Sequence, residues 1–289
     1  MTTSRRNFLK QSAFALGAAG FAGRLAASDR TESGQKSSET QSVYRVGAWL
    51  GGIDACQTAK KEGLDVVQLA FPFRPGGEND FRDPDVCARY REKSLETGVE
   101  ICSLAMGEFN GHPFWKEDDA ESLVSECIAA MTRLGVKNVL FGFFGEATLD
   151  SDDKMNETIR RLKNLAPKAA DAQVTLAVES TLDAEGHLRI LEGVDSPAVK
   201  VYYDPGNMIH RFPDTDAIVA DILKLTDRIA EVHAKDAGLL GKGKIDYGKI
   251  LAAYRKANYF GPQVLEGSTD PDLGPSESRR RNAEYLKSL

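Results

Sequence analysis

From Val43 onward the chain alternates eight times between a short β-branched apolar run and a longer segment with apolar residues every three or four positions. The runs fall at residues 44–49, 66–71, 100–104, 138–143, 174–179, 200–204, 229–233 and 263–266. Helix-period segments fall at 54–62, 84–97, 118–135, 155–170, 186–191, 215–226, 247–257 and 276–286. In the third, Leu123, Val124, Cys127, Met131 and Leu134 share one stripe and Gly135 supplies the stop. Glycine also stands before the next strand at Gly63 and Gly98. Eight such units in about 245 residues predict one α/β domain, a closed (β/α)8 TIM barrel over residues 43–289. The competing architecture is a doubly wound open sheet. That fold usually carries a glycine-rich phosphate loop after its first strand, whereas here Trp49-Leu50-Gly51-Gly52 follows, with no G-x-G-x-x-G.

The first 42 residues do not share this rhythm. Ser4-Arg5-Arg6-Asn7-Phe8-Leu9-Lys10 places paired arginines before an Ala/Gly/Phe-rich stretch, and small residues follow at Ala26, Ala27 and Ser28. This pattern predicts a twin-arginine signal peptide over residues 1–27, with export to the periplasm as its consequence. The apolar stretch is too short to span a bilayer, so no stable membrane span is expected after processing. Residues 28–42 are polar and read as a disordered linker. Removing Arg5, Arg6, Lys10 and Arg24 with the signal would take the formal charge from −6 to −10. So acidic a body argues against nucleic acid as a partner. Cys56, Cys87, Cys102 and Cys127 form no C-x-x-C pair and are expected as buried free thiols. The sequence leaves the oligomeric state open, a homo-oligomer included.

Four chemistry-bearing residues close four consecutive runs: Glu179 in VTLAVES, Asp204 in VKVYYDPGN, His233 in AEVHAKD and Glu266 in PQVLEG. Their spacings of 25, 29 and 33 residues each suit one helix, one strand and two loops. In a parallel barrel such strand ends meet at one rim. Three carboxylates and one imidazole make a mostly hard ligand set, suited to one divalent ion: Mn²⁺, Mg²⁺ or Co²⁺, with Zn²⁺ also compatible. A single Glu at a strand end is more often solvated, and a lone His on a strand is usually a satisfied core residue. The joint spacing is what sets this group apart. An ion held there could bind vicinal oxygens of a hydroxy-carbonyl sugar and acidify the proton α to the carbonyl. Glu179 and Glu266 could then flank the reacting carbon as base and acid.

These residues resemble the xylose isomerase-like TIM-barrel superfamily of sugar isomerases and epimerases. The resemblance rests on Glu179, Asp204-Pro205-Gly206-Asn207, His233-Ala234-Lys235-Asp236, Gly261-Pro262-Gln263-Val264-Leu265-Glu266, and Gly241-Lys242-Gly243-Lys244-Ile245-Asp246. It covers residues 43–289 and is strongest from 174 onward. It implies a metal held by Glu179, Asp204, His233 and Glu266, with Glu179 and Glu266 as the acid/base pair. The chain departs from its relatives at Asn207, where epimerases often carry His, at Ser180-Thr181, where many carry Asn-His, and at Gln68, where an acid is common. Further candidates for the sugar pocket are Lys235, Glu185, Glu108 and Trp115, with His112, His187 and Arg74 weaker. An ion pair to Asp236 or Glu231 is the alternative role for Lys235.

Four functions compete. The first is a metal-dependent isomerase or epimerase acting on a keto-sugar. The second is a lyase or hydrolase that uses the same α-proton chemistry on keto-glycosides. An endonuclease IV-like hydrolase would need more histidines than the four present, and an acidic body suits it poorly. A non-catalytic sugar-binding barrel would have no need of all four ligands.

Overall fold

The computed structural model describes residues 44–289; the expected signal peptide and linker lie outside the described residues. Eight parallel strands follow one another around a closed barrel: β1 (Val46–Trp49), β2 (Val66–Ala70), β3 (Glu100–Met106), β4 (Asn138–Phe143), β5 (Thr175–Ser180), β6 (Val199–Tyr203), β7 (Ile229–Ala234) and β8 (Gln263–Leu265). The ring closes where β8 pairs with β1, Gly47 opposite Val264. Between and after the strands run α1 (Ala55–Lys61), α2 (Pro84–Thr97), α3 (Ala120–Leu134), α4 (Asp152–Asp171), α5 (Ala184–Val194), α6 (Pro205–Met208), α7 (Thr215–Lys224), α8 (Tyr247–Lys256) and α9 (Gly274–Ser288). The TIM-barrel expectation therefore holds.

Local chemistry sets the helix limits. Side chains of Asp83, Ser151, Asp183, Asp214 and Asp246 accept first-turn backbone N–H groups of α2, α4, α5, α7 and α8. These bonds satisfy donors that a helix leaves open at its start. At the other end, Gly98 and Gly135 take left-handed φ values of 74° and 78°, which cost glycine little and turn the chain back toward the next strand. The strands are buried on both faces. Their outward side chains pack under the helices in one large core, while Ala105, Leu140, Ala177 and Tyr202 form a smaller cluster.

The strand assignments differ from expectation by one or two residues at several ends. Asp204 and Glu266 lie just past β6 and β8 rather than within them. Asp204-Pro205-Gly206-Asn207, which reads as a turn, instead opens the one-turn helix α6, with Asp204 capping it. All four cysteines are free and buried, as expected. Among the described residues no helix is long and apolar enough to cross a membrane.

Candidate metal centre

Parallel strands in register carry the four expected ligands to one rim. Glu179 is on β5, Asp204 follows β6, His233 is on β7 and Glu266 follows β8. Their donor atoms all lie within 4.8 Å of one another. That span is about twice an ion–oxygen distance of 2.0–2.6 Å, so one cation can touch all four. Glu179 and Asp204 are each 3 % exposed and His233 is fully buried. His233 Nδ1 faces Glu179 Oε1 at 3.0 Å and Glu266 Oε2 at 3.7 Å.

The loop after β6 is built around Asp204. Its Oδ1 accepts the N–H of Gly206 at 2.7 Å and of Asn207 at 3.4 Å. Gly206 has no room for a side chain: a Cβ there would come within 2.7 Å of the Lys235 backbone oxygen and Cβ. Only glycine lets this loop lie flat against the end of β7. Asp204 Oδ2 is buried without a hydrogen-bond partner. A buried carboxylate oxygen without a hydrogen bond is costly, and the Lys235 ammonium at 3.7 Å compensates it only in part.

Lys235 and Asn207, both expected near the substrate, face this group. Lys235 Nζ donates to Glu266 Oε2 at 2.8 Å and to Asn207 Oδ1 at 3.3 Å, and lies 3.7 Å from Asp204 Oδ2. Asn207 Nδ2 donates to Glu179 Oε1 at 3.3 Å. The alternative partners of Lys235 are otherwise engaged. Asp236 accepts backbone N–H groups of Ala237, Lys244 and Ile245, which anchors the Gly241–Asp246 loop.

The charges explain the ionisation pattern. Burial, then repulsion from Glu179, raises Asp204 to about 7 against the pull of His233 and Lys235. Burial opposes a charged His233, but Glu179, Glu266 and Asp204 outweigh it and raise the imidazole to about 9. Burial likewise opposes an ionised Glu266, yet His233 and Lys235 hold its carboxyl below the usual range. A ligating His233 must give up its extra proton, and three carboxylates then face one ammonium, leaving two negative charges for an ion to balance. A divalent cation would neutralise the cluster. The hard donor set, the orphaned oxygen and this charge balance all fit such an ion.

Four more of the expected pocket residues, Glu185, Trp115, Glu108 and His187, make the following contacts. Glu185 sits on the first turn of α5 with its side chain 81 % exposed, paired to Lys224 of α7 at 3.4 Å. It belongs to the outer helix ring, because the helix turns it toward solvent. Trp115 donates its indole N–H to the Ala147 carbonyl at 3.2 Å and lies under Lys154. It is a brace between the segments after β3 and β4. Glu108 accepts the N–H of Phe73 at 2.9 Å, tying the β2 and β3 connections together. It lines a cavity of about 160 Å³ with Phe73, Arg74 and His112, which includes none of the four ligands. His187 is a satisfied core histidine, bonded to Ser180 Oγ at 3.0 Å and to the Asp183 carbonyl, with burial lowering it to about 4.

Sequence reading gave Gln68 no role beyond a departure, yet its Oε1 lies 3.0 Å from His233 Nε2. It also passed over Trp49, which closes β1 at the same rim and is 37 % exposed. An aromatic residue at the end of the first apolar run was the available signal.

A family profile described as "Xylose isomerase-like TIM barrel" matches residues 56–289. The chain belongs to that family. Solved structures agree with the xylose isomerase-like barrel. A 3-keto-D-glucoside 4-epimerase from E. coli is 14 % identical, with a TM-score of 0.69 over 85 % of this chain and 100 % of that one. A xylose isomerase domain protein from Planctomyces limnophilus is 18 % identical, with a TM-score of 0.67 over 85 % and 95 %. A D-allulose 3-epimerase from Methylomonas sp. is 18 % identical, with a TM-score of 0.63 over 86 % and 99 %. No curated protein sequence matches the chain.

Proposed function

We propose that the chain is a divalent-metal-dependent sugar isomerase or epimerase that moves a proton α to the carbonyl of a keto-sugar. The convergence of Glu179, Asp204, His233 and Glu266 within 4.8 Å carries this reading. Structural neighbours named as 3-keto-D-glucoside 4-epimerase and D-allulose 3-epimerase support the substrate class. Glu179, Asp204, His233 and Glu266 would hold the ion, Mn²⁺, Mg²⁺ or Co²⁺ by donor hardness, with Zn²⁺ also compatible. When bound, it supplies a Lewis acid that makes the α-proton labile.

The chain's own groups then divide the work. Glu266, held ionised by His233 and Lys235, takes the α-proton. Glu179, on the β5 side, takes up a solvent proton and delivers it to the opposite face. Lys235 and Asn207, joined at 3.3 Å, present an ammonium and an amide to substrate hydroxyls. Trp49 offers an apolar wall for a sugar face.

Incubating the purified chain with a 3-keto-glucoside or a ketose in D₂O tests the proposal. Deuterium at the α-carbon without cleavage is the expected result, and no exchange in the presence of Mn²⁺ would refute it. One observation favours a second reading. Asn207 cannot shuttle a proton as a histidine could, so expulsion of a β-substituent would compete with reprotonation. Release of the aglycone in the same incubation would establish the lyase.

A further inference from the structure

A buried polar chain runs behind His233, on the side away from the carboxylates. His233 Nε2 lies 3.0 Å from Gln68 Oε1. Gln68 Nε2 donates to Ser103 Oγ at 2.9 Å and to the Tyr202 hydroxyl at 3.1 Å. The Ser103 hydroxyl donates to Glu231 Oε1 at 2.9 Å, and Asn138 Nδ2 donates to Glu231 Oε2 at 3.1 Å. Gln68, Ser103, Glu231 and His233 are all 0 % exposed.

Proton counting fixes the direction of this chain. Glu231 accepts at both oxygens. Ser103 has one proton and gives it to Glu231, so its oxygen is left to accept from Gln68. The Gln68 amide NH₂ therefore points to Ser103 and Tyr202, and its carbonyl points to His233. Only a ring N–H completes that contact. Nε2 then carries a proton whatever the charge of the ring, and Nδ1, 3.0 Å from Glu179 Oε1, is the nitrogen that must give up its proton to an ion.

The backbone is shaped for this arrangement. The β2–β3 register jumps from Val67 opposite Ile101 to Gln68 opposite Ser103, leaving Cys102 as an extra residue. The β6–β7 register jumps from Val201 opposite Ile229 to Tyr202 opposite Glu231, leaving Ala230 extra. Bulges re-aim side chains at a cost to the ladder. Both of these set members of the chain side by side. Glu231 makes no ion pair among the described residues, although an isolated buried carboxylate is costly. A role at the neighbouring cation site accounts for its presence.

We infer that Gln68, Ser103 and Glu231 form a polarised relay that keeps a proton on His233 Nε2, so that Nδ1 is the nitrogen that yields its proton to the metal. The relay rests on the metal reading above. These are positioning residues: they touch neither substrate nor ion, and they act through the imidazole. Outer hydrogen-bond partners of a metal histidine typically matter 10–100-fold in affinity.

The test compares wild type with Gln68→Met, which removes the acceptor at similar volume, and Glu231→Gln, which keeps shape and removes charge. Calorimetric titration with Mn²⁺ should show affinity about 10–100-fold weaker in each variant. In the Zn²⁺-loaded, ¹⁵N-histidine-labelled wild type, one of the four histidines should show a protected Nε2–H with Nδ1 ligated. That signal should vanish in Gln68→Met. Should Gln68→Met not fold, Glu231→Gln decides alone. Mn²⁺ affinity within about twofold of wild type in the folded variants, or a Zn²⁺-loaded His233 protonated at Nδ1, would overturn the relay. Wild type that binds no Mn²⁺ would defeat the metal reading itself, a result distinct from unchanged binding in the variants.

Discussion

Asp204→Asn should stabilise the metal-free protein while destroying its affinity for metal. Asp204 is 3 % exposed, lies among Glu179 and Glu266, and has a carboxyl raised from 3.8 to about 7, by burial first and then by Glu179. A folded pKa above the unfolded one means that the group's contribution to stability is complete below 3.8 and is lost as pH rises through about 7. That interval corresponds to about 4 kcal/mol at most. Asparagine keeps the oxygen that accepts from the Gly206 N–H, so the α6 cap survives. It never ionises, so it escapes the loss. Between about pH 4.5 and about pH 7 the stability gap in favour of the variant should widen by about 3 kcal/mol. At about 2–4 °C per kcal/mol for a domain of this size, the Tm gap should grow by about 6–12 °C. The assay is thermal unfolding of both proteins in EDTA across that pH range. Mn²⁺ at about 100 times its Kd should then raise wild type by about 2.7 kcal/mol and leave the variant unmoved. A gap that stays constant or narrows with pH would refute the view that Asp204 is held in place against its own repulsion.

Other perturbations separate the roles further. Glu179→Gln and Glu266→Gln should each lower kcat by about 10²–10⁴-fold in substrate-dependent deuterium exchange. Gly206→Ala should destabilise the fold by about 1–3 kcal/mol in urea titration and weaken Mn²⁺ binding, since its Cβ would meet Lys235 at 2.7 Å. Trp115→Phe should cost about 1 kcal/mol of stability through the lost Ala147 bond and leave KM unchanged. Trp49→Ala should raise KM instead.

The barrel was legible because its period is carried by many residues at once. Apolar runs such as 138–143 fell where β4 lies, and glycine stops such as Gly98 fell at a helix end. The grouping of Glu179, Asp204, His233 and Glu266 was legible for the same reason: parallel strands in register bring equivalent positions to one rim. What escaped depends on offsets of one or two residues. Asp204-Pro205-Gly206-Asn207 has the composition of a turn, yet it opens the one-turn helix α6, which the Asp204 side chain caps. Glu185 follows β5 in sequence, and the first turn of α5 turns its side chain to solvent beside Lys224. Gln68, Ser103 and Glu231 share a buried chain because two bulges shift the strand pairing, and residue alternation along a strand cannot reveal a bulge.

The most direct test is a calorimetric titration of the purified chain with Mn²⁺, beside a His233→Ala control. The account predicts one ion per wild-type chain and none in the control. Equal binding by both, or by neither, would contradict it.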